Sequence, residues 1–244
     1  YAKPSPIAPQ SLTREIAQRC DYLGKVLLPL DTGAVRQAAR GRRARGLQSI
    51  AICFLFQYMY AEHQEQARQI IKSEFPEAVV SVSSEVLPRI REWSRMSTTL
   101  LNAYLEPVLV RYIDHLNRGL DEASIGTQQR FLMQSNGGVM PFAAAIAGGK
   151  TVHTLLWGPA AGAQASAYLC ESDAGSGLVT LDMGGTSADI AFVEGGVPLE
   201  VTEGVIARRQ IDVPALDLAT ISAGGGTAGR GAGRRLAQEG VGVA

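Results

Sequence analysis

Residues 177–196 read GLVTLDMGGTSADIAFVEGG. An apolar run, Leu178–Leu181, delivers Asp182 to the end of an expected buried strand, and the Gly184-Gly185 pair follows. Thr186 and Ser187 come next, and Asp189 then opens a second apolar run, Ile190–Val193. Strand, glycine turn, strand presents bare backbone N–H groups and a carboxylate to an anion, because glycine has no Cβ to hold the anion off. In such a turn Asp182 is a candidate metal-site acid, holding Mg²⁺ through water. Thr186 and Ser187 are candidate donors to phosphate oxygens. The same residues also fit an ordinary hairpin with a capping Asp. This stretch alone leaves both readings open.

Working outward, three more glycine-rich loops follow apolar runs or open helices. Ser135-Asn136-Gly137-Gly138 follows a strand candidate at 130–134. Gly158-Pro159-Ala160-Ala161-Gly162 leads into an Ala-rich helix, with Pro159 suited to its first position. Downstream, Ala223-Gly224-Gly225-Gly226-Thr227 follows the short run Leu218–Ile221. Ligand sites in α/β proteins form where loops at strand ends converge. Gly137, Gly138, Gly158, Gly184, Gly185, Gly224, Gly225, Gly226 and Thr227 are therefore candidate phosphate- or nucleotide-facing residues, with Asp182 and Asp189 as the acids of the same cleft. No Walker-type G-x-x-x-x-G-K-[ST] occurs, and no G-x-G-x-x-G follows a strand, so a nucleotide site here is of another type.

The N-terminal half has a βαβ rhythm. A helix is expected over 31–45, a buried strand within Leu47–Phe56, a helix over Glu62–Phe75 stopped by Pro76, and a strand at Val79–Val82. Residues 87–120 read as dominantly helical, with Ser97, Thr98 or Thr99 as a cap and Pro107 as a kink or boundary. Arg95, within SRMSTT, reads first as part of that helix start. His63 and His115 read as surface or satisfied core residues, while His153 and Lys150 lie close to the GPAAG loop. The organisation expected is an entry segment over 1–45, a main α/β region over 46–227, and an irregular tail over 228–244.

Composition bounds the rest. The 244 residues carry 23 basic and 23 acidic side chains, so net charge gives no case for nucleic acid or an anionic membrane surface. The Arg40–Arg45 cluster reads as a solvated helix end. Three widely spaced cysteines, Cys20, Cys53 and Cys170, suit reduced thiols in a cytoplasmic protein, and no run approaches a membrane span. The chain opens on Tyr1 and reads as a fragment.

Several stretches together carry a family resemblance: VSVSSEVLPRIREWSRMSTTLLNAYLEPVLVRYI, FLMQSNGGV, TVHTLLWGPAAGA, LVTLDMGGTSADIAFVEGG and LDLATISAGGGT. From about Ser49 to Thr227 the chain resembles the hydantoinase A/5-oxoprolinase family of the actin–hexokinase–heat-shock-chaperone ATPase superfamily. The resemblance implies a partial actin-like (ribonuclease H-like) α/β fold, with mixed sheets covered by helices. It implies ATP and Mg²⁺ as cofactors, Asp182 at the metal and phosphates, and the AGGGT loop over the nucleotide. It further implies a cyclic amide substrate, phosphorylated on its amide oxygen before hydrolysis, and a second, hydantoinase B-like subunit or domain in an oligomer. Relatives that carboxylate ketones are the nearest alternative, and a non-catalytic remnant of the same fold is another. No Asp-x-Gly-Gly-Thr segment stands in the N-terminal part, where the family's first phosphate motif lies, and Ala219 occupies a position where relatives often carry His or Arg.

Overall fold

The structure is a computed structural model, and it describes residues 6–146, 149–170, 177–206, 209–221, 227–232 and 235–240. In chain order, the short strands β1 (Arg19–Cys20) and β2 (Val26–Leu28) precede α1 (Thr32–Arg43), β3 (Ser49–Ile52), α2 (Glu62–Glu74) and β4 (Val79–Val82). Then come α3 (Ser83–Val86), the long α4 (Glu92–Glu122), β5 (Phe131–Met133), β6 (Val139–Pro141) and α5 (Phe142–Ile146). After a 3₁₀ turn at Thr151–Thr154, α6 (Trp157–Leu169) leads to β7 (Leu178–Met183), β8 (Ala188–Glu194), β9 (Val197–Pro198) and β10 (Glu200–Val201). The remaining strands are β11 (Gly204–Ile206), β12 (Arg209–Ile211), β13 (Ala215–Leu216), β14 (Leu218–Ile221), β15 (Thr227–Ala232) and β16 (Arg235–Gly240). Contacts divide the chain into two units: residues 1–132, 140–154 and 203–213 form the first, and 133–139, 155–202 and 214–244 the second.

The first unit is built on the expected βαβ. Strands β3 and β4 pair in parallel, Ser49 with Val79 through Ile52 with Val82, and α2 is the crossover. Leu30, Val35, Ala39, Ile52, Ala67, Ile70, Ile71 and Val82 fill the space between α1, α2 and this pair. Their helical spacing of three and four residues on α1 and α2 is what turns one face of each helix inward. Asp31 caps α1 by accepting the Ala34 N–H at 2.9 Å. No side chain on α2 itself caps its start. The fully buried Gln57 does so from the preceding loop, accepting the His63 and Gln64 N–H groups.

Helix α4 begins at Glu92, not at the Ser97–Thr99 stretch expected to cap it. Thr98 and Thr99 are fully buried inside the helix, where the Thr99 hydroxyl donates to its own helix at Arg95 O. A hydroxyl that bonds back four residues satisfies itself without ending the helix. Pro107 sits within the 31-residue helix and does not bound it. On one face Asn102 donates to Ser81 Oγ and Glu106 Oε2, both at 3.1 Å, and accepts the Val152 N–H at 2.9 Å. Burial pushes the Glu106 carboxyl above its ordinary value, opposed by the Ser81 hydroxyl that donates to it.

In the second unit β14, β8 and β7 form an antiparallel sheet in that order, with β9 also paired to β8. One face packs on α6 through Ala160, Ala163, Ala191, Leu216 and Leu218. The other face leaves Val179, Leu181, Met183 and Phe192 exposed, so β7 is not the buried strand expected and, among the described residues, helix covers this sheet on one side only. The alternation along β7 is what reveals this: odd positions face out and even positions face α6.

Candidate functional site

Helix α6 is where the glycine-rich stretches of the second unit meet. The Ser135 hydroxyl, buried to 1% exposure, accepts the N–H of Leu156 at 3.0 Å, and Leu156 is the residue that caps α6. Gly137 adopts a left-handed φ of 81°, and a Cβ there would overlap the Gln164 side chain of α6. Asp182 lies on the same helix from the other side: its Oδ2 is 3.2 Å from where a Cβ on Gly162 would stand. Three of the four stretches singled out in the sequence therefore come together. Gly224, Gly225 and Gly226 of the fourth lie outside the described residues, and Thr227 opens β15.

The DMGGTSAD stretch is a hairpin. Asp182 pairs with Asp189 and Met183 with Ala188 across β7 and β8, and the Gly184 N–H donates to Ser187 O at 2.9 Å. Gly185 and Thr186 form the tip. A Cβ on Gly185 would meet nothing within 4 Å, and one on Gly184 only Ser187 O at 3.7 Å. Neither glycine has a positive φ. The fold does not require glycine at either position, and the space their missing side chains leave is open to a ligand. Gly158, in the first turn of α6, is likewise open. That turn has no acidic residue and no side-chain cap. Its Pro159 is the third helical residue and not the first, a place still tolerated because the first four helical N–H groups have no partner within the helix.

Asp182 and Asp189 face each other directly, so their side chains share a face of the sheet and repel. Among the described residues neither has an ion-pair partner. Asp189 accepts the Thr220 hydroxyl from β14 at 2.6 Å, and Asp182 is exposed. Among the described residues no three His, Cys, Asp or Glu side chains are grouped to hold a metal. Two carboxylates with open water access do fit a Mg²⁺ ion, which keeps several waters and takes one or two protein carboxylates beside phosphate.

Other residues resolve as scaffold. Arg95 is fully buried, donating to Arg89 O and Phe54 O at 2.8 Å each and stacking on Tyr58. His63 is buried against Gln18 and Cys20. His115 is exposed on α4 and lies 3.1 Å from an Arg118 nitrogen. His153 is held below the ordinary histidine value by burial and by Lys150. The arginines at 40 and 43 are ion-paired with Glu74 and Glu77, and Arg42 is buried on Leu12 O, so this end of α1 is not simply solvated. All three cysteines are free, Cys20 buried and Cys53 and Cys170 half-buried. Thr220 was not singled out by the sequence, and Ser135 and Gly162 stood in the quoted loops without a role of their own, because each acts on a partner more than 15 positions away.

Segments of three glycine-rich stretches thus meet α6, with Asp182 resting on it and Asp189 paired across from Asp182. The hydantoinase/oxoprolinase model matches residues 95–239, and the model of that family's N-terminal region matches residues 1–75. The chain belongs to the hydantoinase/oxoprolinase family. The matches reach beyond the stretch 49–227 that carried the resemblance. Caprolactamase subunit alpha of Pseudomonas jessenii is 33% identical over 91% of this chain and 31% of its own length. The 5-oxoprolinase of Saccharomyces cerevisiae is 35% identical over 82% of this chain and 15% of its own. A nucleotide-free acetone carboxylase structure superposes with a TM-score of 0.82 at 26% identity, covering 98% of this chain and 34% of that one. The fold is thus mixed α/β of the actin-like ATPase type, and the chain spans at most about a third of these relatives. Among the described residues no helix is long and apolar enough to cross a membrane.

Proposed function

We propose that this chain is the part of an ATP-dependent cyclic-amide hydrolase subunit that holds nucleotide phosphates. The observation that carries the reading is the open glycine hairpin 182–189 set against α6, in a member of a family whose named relatives include a caprolactamase and a 5-oxoprolinase. The Gly185 backbone N–H and the hydroxyls of Thr186 and Ser187 would bind phosphate oxygens, and the α6 start would add the Gly158 N–H. Asp182 would hold Mg²⁺ through water, with Asp189 fixed by Thr220 beside it. Bound there, the metal supplies positive charge to the transferred phosphoryl group.

The chemistry follows from what an amide lacks. Its carbon is a poor electrophile until the carbonyl oxygen takes the γ-phosphoryl group, releasing ADP. Water then adds to that carbon, the ring C–N bond opens with the nitrogen leaving as an amine, and a second water hydrolyses the resulting acyl phosphate to carboxylate and inorganic phosphate. The chain's own task is to bind and orient the phosphates so that the amide oxygen attacks in line. A partner subunit or domain would complete the site, in keeping with relatives that are named as subunits.

A second reading is favoured by the acetone carboxylase superposition and by an acetophenone carboxylase gamma subunit that is 31% identical. There the activated oxygen belongs to a ketone. Calorimetric titration of Mg·ATP into the chain and into Asp182→Ala tests the shared part. Binding lost in the variant supports the reading, while equal binding, or none to either, removes it. Phosphate release on adding 5-oxoproline or caprolactam, but not acetone with bicarbonate, separates the hydrolase from the carboxylase.

A further inference from the structure

Gly162 is the sixth residue of α6, where glycine is unfavourable relative to alanine and nothing in the backbone calls for it. Its φ is helical, and its carbonyl accepts the Ser166 hydroxyl one turn on. The neighbour that explains it is Asp182. A Cβ at position 162 would lie 3.2 Å from Asp182 Oδ2 and 3.9 Å from its Cγ, and outside its own stretch of helix no other atom of the described residues comes within 4 Å. A contact of 3.2 Å is tighter than ordinary van der Waals packing, so any side chain on this position moves the carboxylate by a few tenths of an ångström. Asp182 is exposed on its strand and has no ion-pair partner among the described residues, so helix α6 is the surface against which it rests.

We propose that Gly162 is a positioning residue: its missing Cβ lets the Asp182 carboxylate lie flat on α6, in the place where it meets Mg²⁺ of Mg·ATP. The role of Asp182 toward metal rests on the function proposed above; the steric coupling of the two residues does not. The inference separates function from fold, because Gly162→Ala removes a helix-destabilising residue. A purely structural glycine on a tolerant helix would give a chain that melts higher and binds nucleotide as before.

The test compares the unmodified 244-residue chain with Gly162→Ala and Gly162→Val. The expected result is a melting midpoint for Gly162→Ala that is unchanged or raised, with Mg·ATP bound roughly three- to tenfold more weakly, since sub-ångström misplacement of a phosphate-site group has effects of that order. The valine variant loses more. ATP in the presence of EDTA binds all three chains alike, and the carboxyl ¹³C resonance of Asp182 moves in both variants. Equal weakening with and without Mg²⁺, or no weakening with an unmoved resonance, overturns the proposal. If the unmodified chain binds no nucleotide, the proposed function falls, and the carboxyl resonance alone decides: a shift keeps the coupling of Gly162 to Asp182, and no shift ends it.

Discussion

The two units handle polar side chains in opposite ways. Among the described residues fifteen polar or charged side chains are buried; fourteen lie in the first unit and Ser135 alone in the second. In the first unit Gln57, Gln64, Ser83, Asn102 and Glu106 are joined to backbone and to one another. Three buried atoms there, Arg68 Nε, Arg95 Nε and Asp212 Oδ1, have no hydrogen-bond partner among the described residues, although Arg68 Nε is ion-paired with Glu65 at 3.2 Å. In the second unit the chemistry-bearing side chains, Asp182 and Thr186, are exposed at a turn. A buried polar group left unpaired is costly, so partnered burial marks a scaffold. An exposed carboxylate facing a like charge, with no ion-pair partner among the described residues, has no such task in the fold. It is available to a ligand.

The largest effect expected is in the scaffold. Asn102→Ala removes three hydrogen bonds at once, strands the buried Val152 N–H and leaves Ser81 and Glu106 with only their bond to each other. Urea denaturation should show a loss of about 3 kcal/mol, the sum expected for a buried network broken at its hub. A loss under about 1 kcal/mol would mean that the first unit's polar residues are not what specifies it, and the comparison would collapse.

Glu106 gives the same contrast a pH signature. Burial raises its folded value above the ordinary 4.5, with Glu85 adding to the rise and Ser81, Lys72 and Arg68 opposing it. The folded state therefore holds the proton more tightly than the unfolded state. The stability this brings is fully present below pH 4.5 and is lost as pH rises through the raised folded value. Glu106→Gln, which carries no charge, should match the parent in acid and exceed it at neutral pH. A difference that is constant with pH would show that Glu106 titrates normally.

A smaller loss is expected at the start of α1. Asp31→Ala deletes the cap on the Ala34 N–H and should cost about 1 kcal/mol, read from the denaturation midpoint. Because this cap is exposed and local, it should leave the Glu106 pH profile unchanged.

How much of this was legible in the sequence depended on how far apart the interacting residues lie. The βαβ of β3, α2 and β4, the Ala-rich α6 and the hairpin strands β7 and β8 are written in local periodicity and fell close to their expected places. The start of α4 was not, because Ser97–Thr99 looks like a cap until the fold buries Thr98 and Thr99. Asn102 is an unremarkable helical residue in sequence; its importance comes from Ser81 and Val152, brought to it by the sheet and a 3₁₀ turn. In the site, the glycine turns and Asp182 were legible by composition. Their convergence on α6 was not, since it depends on Ser135, Gly162 and Gln164 meeting partners across the second unit.

The smallest expected effect is the sharpest test of that second unit. The Thr220 hydroxyl donates to Asp189 at 2.6 Å, a charge-assisted bond that resembles the first unit's network in geometry. It differs in setting, because Thr220 is exposed and water can replace it. Thr220→Val keeps the shape and the strand preference of the residue. Its stability should change by no more than about 0.5 kcal/mol, as for an exposed bond exchanged for solvent. Asp189 would then be free to turn, so Mg·ATP affinity should fall by a small factor while the melt stays in place. A loss near 2 kcal/mol would place this bond with the buried network, and the line between scaffold and site would no longer run between the two units.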